Sequence, residues 1–202
     1  AAQFDRVKVL APENLAARIW LGQLYVVSQM PAEALRIVND LRAQPELLAA
    51  AGTNRNELLF VEASARLAQN DLSGAETAVR AAVRQHPRDA DLLATATQVF
   101  LKYGHYSNAL STIEQELVIA PTNLNALVNQ GFACIQIGAF EKAIPPLTRV
   151  LDLDTNNYSA LLNLAIACLR ANRLEDSQRH YEVLQKAFPT ASTSRMARCD
   201  RA

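Results

Sequence analysis

The stretch GFACIQIGAFEKAIPPLTRVLDLDTNN, residues 131–157, places two apolar-periodic segments on either side of a glycine. The apolar residues recur at helical rather than alternating spacing, so two short helices joined at Gly138 are expected. Stepping by 34 from Gly131 reaches Ala63, Thr97 and Ala165, and a larger step of 41 leads back from Ala63 to Gly22. Twelve residues after each of these stands another small residue: Ala34, Ala75, Ala109, Ala143 and Ser177. Two columns of small residues at a fixed offset suit antiparallel helices whose backbones touch. Larger side chains would push the axes beyond the usual ~8–10 Å.

The remaining columns keep the same period. Asn70, Gly104, Gly138 and Asn172 fall between the two helices of successive units. Gly and Asn enter the left-handed conformation that ends a helix more readily than other residues. Two residues on, Leu72, Tyr106, Phe140 and Leu174 form a large apolar column at the corner. Pro87, Pro121 and Pro189 mark the stop of the second helix, because the residue before proline disfavours helix. Thr155, followed by Asn156 and Asn157, holds that place in the remaining unit, and Leu59, Leu93, Leu127 and Leu161 form a core column on the first helix.

This period and these columns resemble the tetratricopeptide repeat, a helix–turn–helix unit that stacks into a right-handed superhelix. Residues 126–154, 161–189 and 94–121 carry the likeness most clearly. It implies an all-α fold, a right-handed α-solenoid. The expected organisation is the end of a preceding repeat's second helix at 1–14, then units at 15–55, 56–89, 90–123, 124–157 and 158–189, then a tail or short capping helix at 190–202. The first unit departs from the pattern, with Gln29-Met30-Pro31 at its corner and seven extra residues before the second unit. A longer second helix, or a short extra turn ending near Gly52, is expected there. Residues 4–14 align with 113–123, so the chain opens on half a unit. A repeat cannot bury its face alone, which predicts a longer parent protein. Pro145-Pro146 predicts a second helix that begins at the pair or bends there, near its start.

Composition narrows the function. Half the residues are hydrophobic and a fifth are charged, which excludes disorder. Twenty basic residues balance twenty acidic ones, so no net field favours nucleic acid or an anionic membrane. No apolar run approaches the ~18 residues of a membrane span. Cys134 and Cys168 hold equivalent places on successive first helices, roughly 8–10 Å apart or more. A disulfide needs Cα atoms within about 7 Å, so both thiols are expected to be free. His86, His105 and His180 lie far apart along the repeats, and no phosphate loop or nucleophile motif occurs. No catalytic residue, metal site or cofactor is expected.

Stacked repeats present a concave face built mainly from the first helices, and the resemblance implies that a peptide or helix of a partner protein binds there. The residues expected to bind are Asn125, Val128, Asn129, Phe132, Ile135, Leu162, Asn163, Ile166, Leu169 and Arg170. Ile19, Gln23, Val26, Phe60, Ser64, Leu67, Ala94, Gln98, Leu101 and Lys102 are expected to continue that face toward the N-terminus. Asn129 and Asn163 occupy one place in adjacent units. A carboxamide donates and accepts at once, so it can pair with a peptide backbone regardless of sequence, as stacked asparagines do in some members of the family. Chaperone-binding members instead clamp a terminal carboxylate with Lys, Asn and Arg. The corresponding places here, Ile19/Gln23, Phe60/Ser64, Ala94/Gln98 and Val128/Phe132, with Ser159/Asn163 further on, contain no such clamp. The leading expectation is a non-catalytic interaction scaffold. A self-assembling module and a docking arm of a larger enzyme are the alternatives. The cytoplasm is the favoured compartment.

Overall fold

Each corner adopts the left-handed backbone that its residue type favours. Asn70, Gly104, Gly138 and Asn172 have φ of 61°, 77°, 79° and 62°. Gln29 does the same at 57°, although the first unit has neither Gly nor Asn there. For such a residue this conformation costs about 1–2 kcal/mol. One hydrogen bond recurs at all five corners, running from the residue after the left-handed one to the carbonyl five residues back. Its lengths are 2.8 Å for Met30 to Tyr25, 2.8 Å for Asp71 to Arg66, 2.9 Å for His105 to Phe100, 2.8 Å for Ala139 to Cys134 and 2.8 Å for Arg173 to Cys168. This satisfies helix-end carbonyls that would otherwise lack donors.

The computed structural model describes residues 14–44, 46 and 54–189. Ten helices, and no strand, occur among the described residues. They are α1 Leu15–Val27, α2 Pro31–Arg42, α3 Asn54–Ala68, α4 Leu72–Gln85, α5 Ala90–Lys102, α6 Tyr106–Ile119, α7 Leu124–Gln136, α8 Phe140–Leu153, α9 Tyr158–Arg170 and α10 Leu174–Ala187. The fold is therefore an all-α helical-repeat solenoid. First helices start on side-chain caps: Asn14, Asp89, Asn123 and Asn157 accept from backbone amides of α1, α5, α7 and α9. Such caps typically contribute about 1 kcal/mol each. Second helices α4, α6 and α10 stop just before Pro87, Pro121 and Pro189. Helix α2 ends at Arg42, so the extra residues of the first unit do not lengthen it. The alternative turn near Gly52 lies outside the described residues, as do the half unit at 1–13 and the tail at 190–202. Helix α8 begins at Phe140 and runs through both prolines, so it does not start at the pair. Because proline has no N–H, the carbonyls of the exposed residues Glu141 and Lys142 lose their in-helix donors.

The chain divides into two compact units, Ala1–His105 and Tyr106–Ala202. The division falls at the corner between α5 and α6, inside the segment expected as one repeat over 90–123. In the first unit α1 packs on α2 and α3, α2 on α3, and α3 on α4 and α5. Its core includes Ile19, Leu21, Tyr25, Ile37, Leu41 and Val61. A buried ionic group adds to this unit. Glu62, 1% exposed, accepts from Arg42 Nη1 at 2.9 Å, bonds a second time to Arg42 Nη2, and accepts from Arg66 Nε at 3.1 Å. Arg66 Nη1 also donates to Asp71, which caps α4 through the Gly74 amide. The group therefore ties the end of α2 to α3 and to the start of α4.

In the second unit α7 packs on α6, α8 and α9, α8 packs on α9, and α9 on α10. Leu127, Ala143, Leu147, Val150, Leu164 and Ala167 form its core. The small columns mark the closest approaches. A Cβ on Gly131 would lie 2.4–2.8 Å from the side-chain carbons of Leu147, one turn beyond the expected neighbour Ala143. At the matching place in the last pair, Ser177 Oγ donates to the Ala165 carbonyl at 2.8 Å. Helices α6 and α8 press Leu110 with Leu117, and Ile144 with Leu151, against this core. At the same places α10 carries Gln178, which is exposed, and Gln185, which is half-buried.

Candidate functional site

The ten expected binding residues lie outside the fully buried faces of α7 and α9. The buried faces consist of Ala126, Leu127, Gly131, Ala133 and Cys134 on α7, and Ala160, Leu161, Leu164, Ala165, Ala167 and Cys168 on α9. None of the ten belongs to these sets. Asn125, Ile166, Leu169 and Arg170 are exposed, and Val128, Asn129, Phe132, Ile135, Leu162 and Asn163 are half-buried. Helices α7 and α9 pack on each other, and on each helix the expected residues, 125, 128, 129 and 132 on α7 and 162, 163, 166 and 169 on α9, recur at the i, i+3, i+4 spacing of one helix side.

This side divides into a packed part and an open part. Val128 and Ile135 press against the core of the unit. The Phe132 ring meets Tyr106 edge-on, with centroids 6.1 Å apart. Ile166 and Leu169, by contrast, are 37% and 54% exposed. The carboxamides of Asn129 and Asn163 have no hydrogen-bond partner in the protein among the described residues. Arg170 carries its guanidinium 5.2 Å from the centre of the Phe140 ring, a cation–π contact. By sequence Phe140 and Tyr106 belong only to the apolar column at the corners. Their aromatic character, 34 residues apart, was the available sign that they support Arg170 and Phe132.

The first unit does not continue this face as expected. Ile19, Val26, Ser64 and Leu67 are buried, at 0%, 6%, 0% and 4% exposure. Helix α1 packs on two helices and α3 on four, and these contacts take up the sides on which the four residues lie. Gln23, Phe60, Ala94 and Leu101 are half-buried, while Gln98 and Lys102 are exposed. Lys102 Nζ lies 5.6 Å from the Phe60 ring centre and 5.7 Å from that of Tyr103. Burial raises the Tyr103 phenol above its ordinary value, and the Ser64 hydroxyl partly opposes the shift.

Behind the face, Cys134 and Cys168 are buried and unbridged. Burial raises both thiols, only partly countered by Lys142 at Cys134 and by Arg173 at Cys168. Neither is a reactive thiolate. His180 on α10 is pushed down chiefly by burial, with Asp176 pulling it up and Arg179 pushing it down. Among the described residues no three His, Cys, Asp or Glu side chains gather as metal ligands, and no helix is long and apolar enough to cross a membrane.

A helical-repeat array with a half-open face on its first helices defines the class of interaction modules. Tetratricopeptide repeat models match residues 60–123 and 135–198, and the chain belongs to that family. The family is typically a non-catalytic protein–protein interaction scaffold. No curated protein matches by sequence. Solved structures share the fold. A tetratricopeptide repeat protein from Parabacteroides merdae is 19% identical, with TM-score 0.63 over 87% of this chain and 67% of its own. MamA truncated at its N-terminus, from Desulfovibrio magneticus RS-1, is 21% identical, with TM-score 0.59 over 86% and 94%. YrrB, described as a TPR protein with an unusual peptide-binding site, is 15% identical, with TM-score 0.61 over 96% and 97%.

Proposed function

We propose that the chain binds a peptide segment of a partner protein along the exposed side of α7 and α9. The observation that carries this reading is the pair of half-buried, unpartnered carboxamides, Asn129 and Asn163, at equivalent places on packed helices. Each can donate to and accept from one peptide unit of an extended strand. A bound helix would leave them idle, since its backbone groups are already paired. Leu162, Ile166 and Leu169 supply apolar area beside the amides. Each Å² removed from water contributes about 25 cal/mol. YrrB, a protein of the same fold, is described as having an unusual peptide-binding site, which is consistent with peptide binding by such an array.

The test compares the wild type with an Asn129→Ala, Asn163→Ala, Leu169→Ala variant in affinity capture from the source organism's lysate. Phe132 is left intact because its ring packs on Tyr106. Circular dichroism checks that the variant is folded. A protein held by the wild type and released by the folded variant supports the face as the binding site. Equal retention by both would overturn it.

A further inference from the structure

Resting on that reading, we infer that the α7–α9 face selects a partner segment that is uncharged and apolar. Helix α7, LNALVNQGFACIQ, contains no Asp, Glu, Lys or Arg, and α9, YSALLNLAIACLR, contains only Arg170. The second helices beside them differ sharply. Helix α8 carries Glu141, Lys142, Arg149 and Asp152, and α10 carries Glu175, Asp176, Arg179, Glu182 and Lys186. Charge is therefore withheld from one side of the unit and concentrated on the other. Arg170, the one ion on the face, sits in the last turn of α9 with its guanidinium over the Phe140 ring, at the end of the row formed by Leu162, Ile166 and Leu169.

Recognition follows from desolvation. An ammonium laid against Leu162 and Ile166 would lose water and gain no counter-charge, since Asn129 and Asn163 offer only dipoles, and a carboxylate would find only Arg170, whose guanidinium already lies over Phe140. Burying an uncompensated ion is strongly unfavourable, so charged segments are rejected while apolar ones are accepted. Affinity then arises from area and neutral hydrogen bonds, which salt screens little.

The probe is a displayed random-peptide library panned against the whole chain, followed by fluorescence anisotropy of synthesised winners at low and high salt. The expected winners lack charge over their binding core. Their Kd should shift less than about twofold between the two salts, and Leu169→Glu should weaken them by about tenfold or more. Leu169 is half-exposed, so the substitution leaves the core untouched, and circular dichroism checks that the variant is folded. Acidic winners that bind much more weakly in high salt and are lost with Arg170→Ala would overturn the inference and leave the binding face standing. Basic winners with a similar salt dependence would do the same. Failure to enrich any peptide, or winners indifferent to Asn129→Ala, Asn163→Ala and Leu169→Glu alike, would overturn the face and the inference together.

Discussion

Gly131→Ala tests the helix contact on which the second unit is built. Alanine is the better helix former by about 1 kcal/mol, so an open site would be stabilised. Here the added methyl would lie 2.4 Å from Leu147 Cγ and 2.6 and 2.8 Å from its two methyl carbons. Leu147 is fully buried and approaches with its branch point, so it cannot yield by swinging a free end. Overpacking of this kind costs about 1–3 kcal/mol, which outweighs the propensity gain and leaves a net loss of up to about 2 kcal/mol. A second change makes the reasoning sharper. Leu147→Ala alone should cost about 2–5 kcal/mol through its cavity. In that background the clash is gone, and Gly131→Ala should become neutral or stabilising by up to about 1 kcal/mol. The double-mutant cycle should thus give a favourable coupling of about 1–3 kcal/mol. Urea denaturation followed by circular dichroism at the helical band measures all four proteins. An equal loss from Gly131→Ala in both backgrounds would show that Leu147 is not what the glycine accommodates.

Three further outcomes follow from the corners, the buried carboxylate and the titrating groups. Gln29→Gly should stabilise the protein by about 1 kcal/mol by relieving the left-handed Gln. Gly138→Ala should cost about as much, because its φ is 79° although a Cβ there meets nothing within 4 Å. Denaturation midpoints moving the same way in both variants would contradict this. Replacing Arg42 and Arg66 together by Ala leaves Glu62 buried without a counter-ion and should cost about 3–5 kcal/mol. Adding Glu62→Leu should restore much of that loss, and no recovery would mean that the ion pairs are incidental. His180 has a depressed folded pKa, so between its ordinary 6.5 and that lower value the unfolded chain binds more protons. Stability should therefore fall as pH drops below 6.5, and the slope should vanish in His180→Gln. Asp71 and Asp176 are also depressed, Asp71 chiefly by the Gly74 amide and Asp176 by Arg173. Their contribution holds above the ordinary 3.8 and is lost as pH falls further.

The repeat was legible because it recurs. Left-handed corners 34 residues apart from Asn70 onward, a proline at three of the helix stops and a leucine column do not depend on which neighbour fills which gap. What was misread depends on neighbours. Ile19 and Ser64 have the helix positions of surface residues, yet the packing of α1 and α3 on several helices buries them. Gly131 was matched to Ala143 by spacing, but the branched side chain of Leu147 reaches back one turn to meet it. The buried Glu62 group was also missed. Its i, i+4 spacing to Arg66 was visible, whereas Arg42 joins it from another helix and leaves no local pattern. On the candidate face, the helical register was readable for all ten residues. The division between packed Val128 and open Leu169 was not, because it depends on what lies beneath each.

Gln178 and Gln185 give the array a direction in which it is hard to lengthen by design. A new first helix seated on α10 as α9 is seated on α8 would cover two carboxamides where Ile144 and Leu151 now make apolar contact. An amide buried without a partner costs about 1–3 kcal/mol. Grafting another copy of residues 124–157 after α10 therefore requires both glutamines to be rewritten as leucine. Left as they are, they make that helix a ready terminus for any shortened or recombined version of the protein.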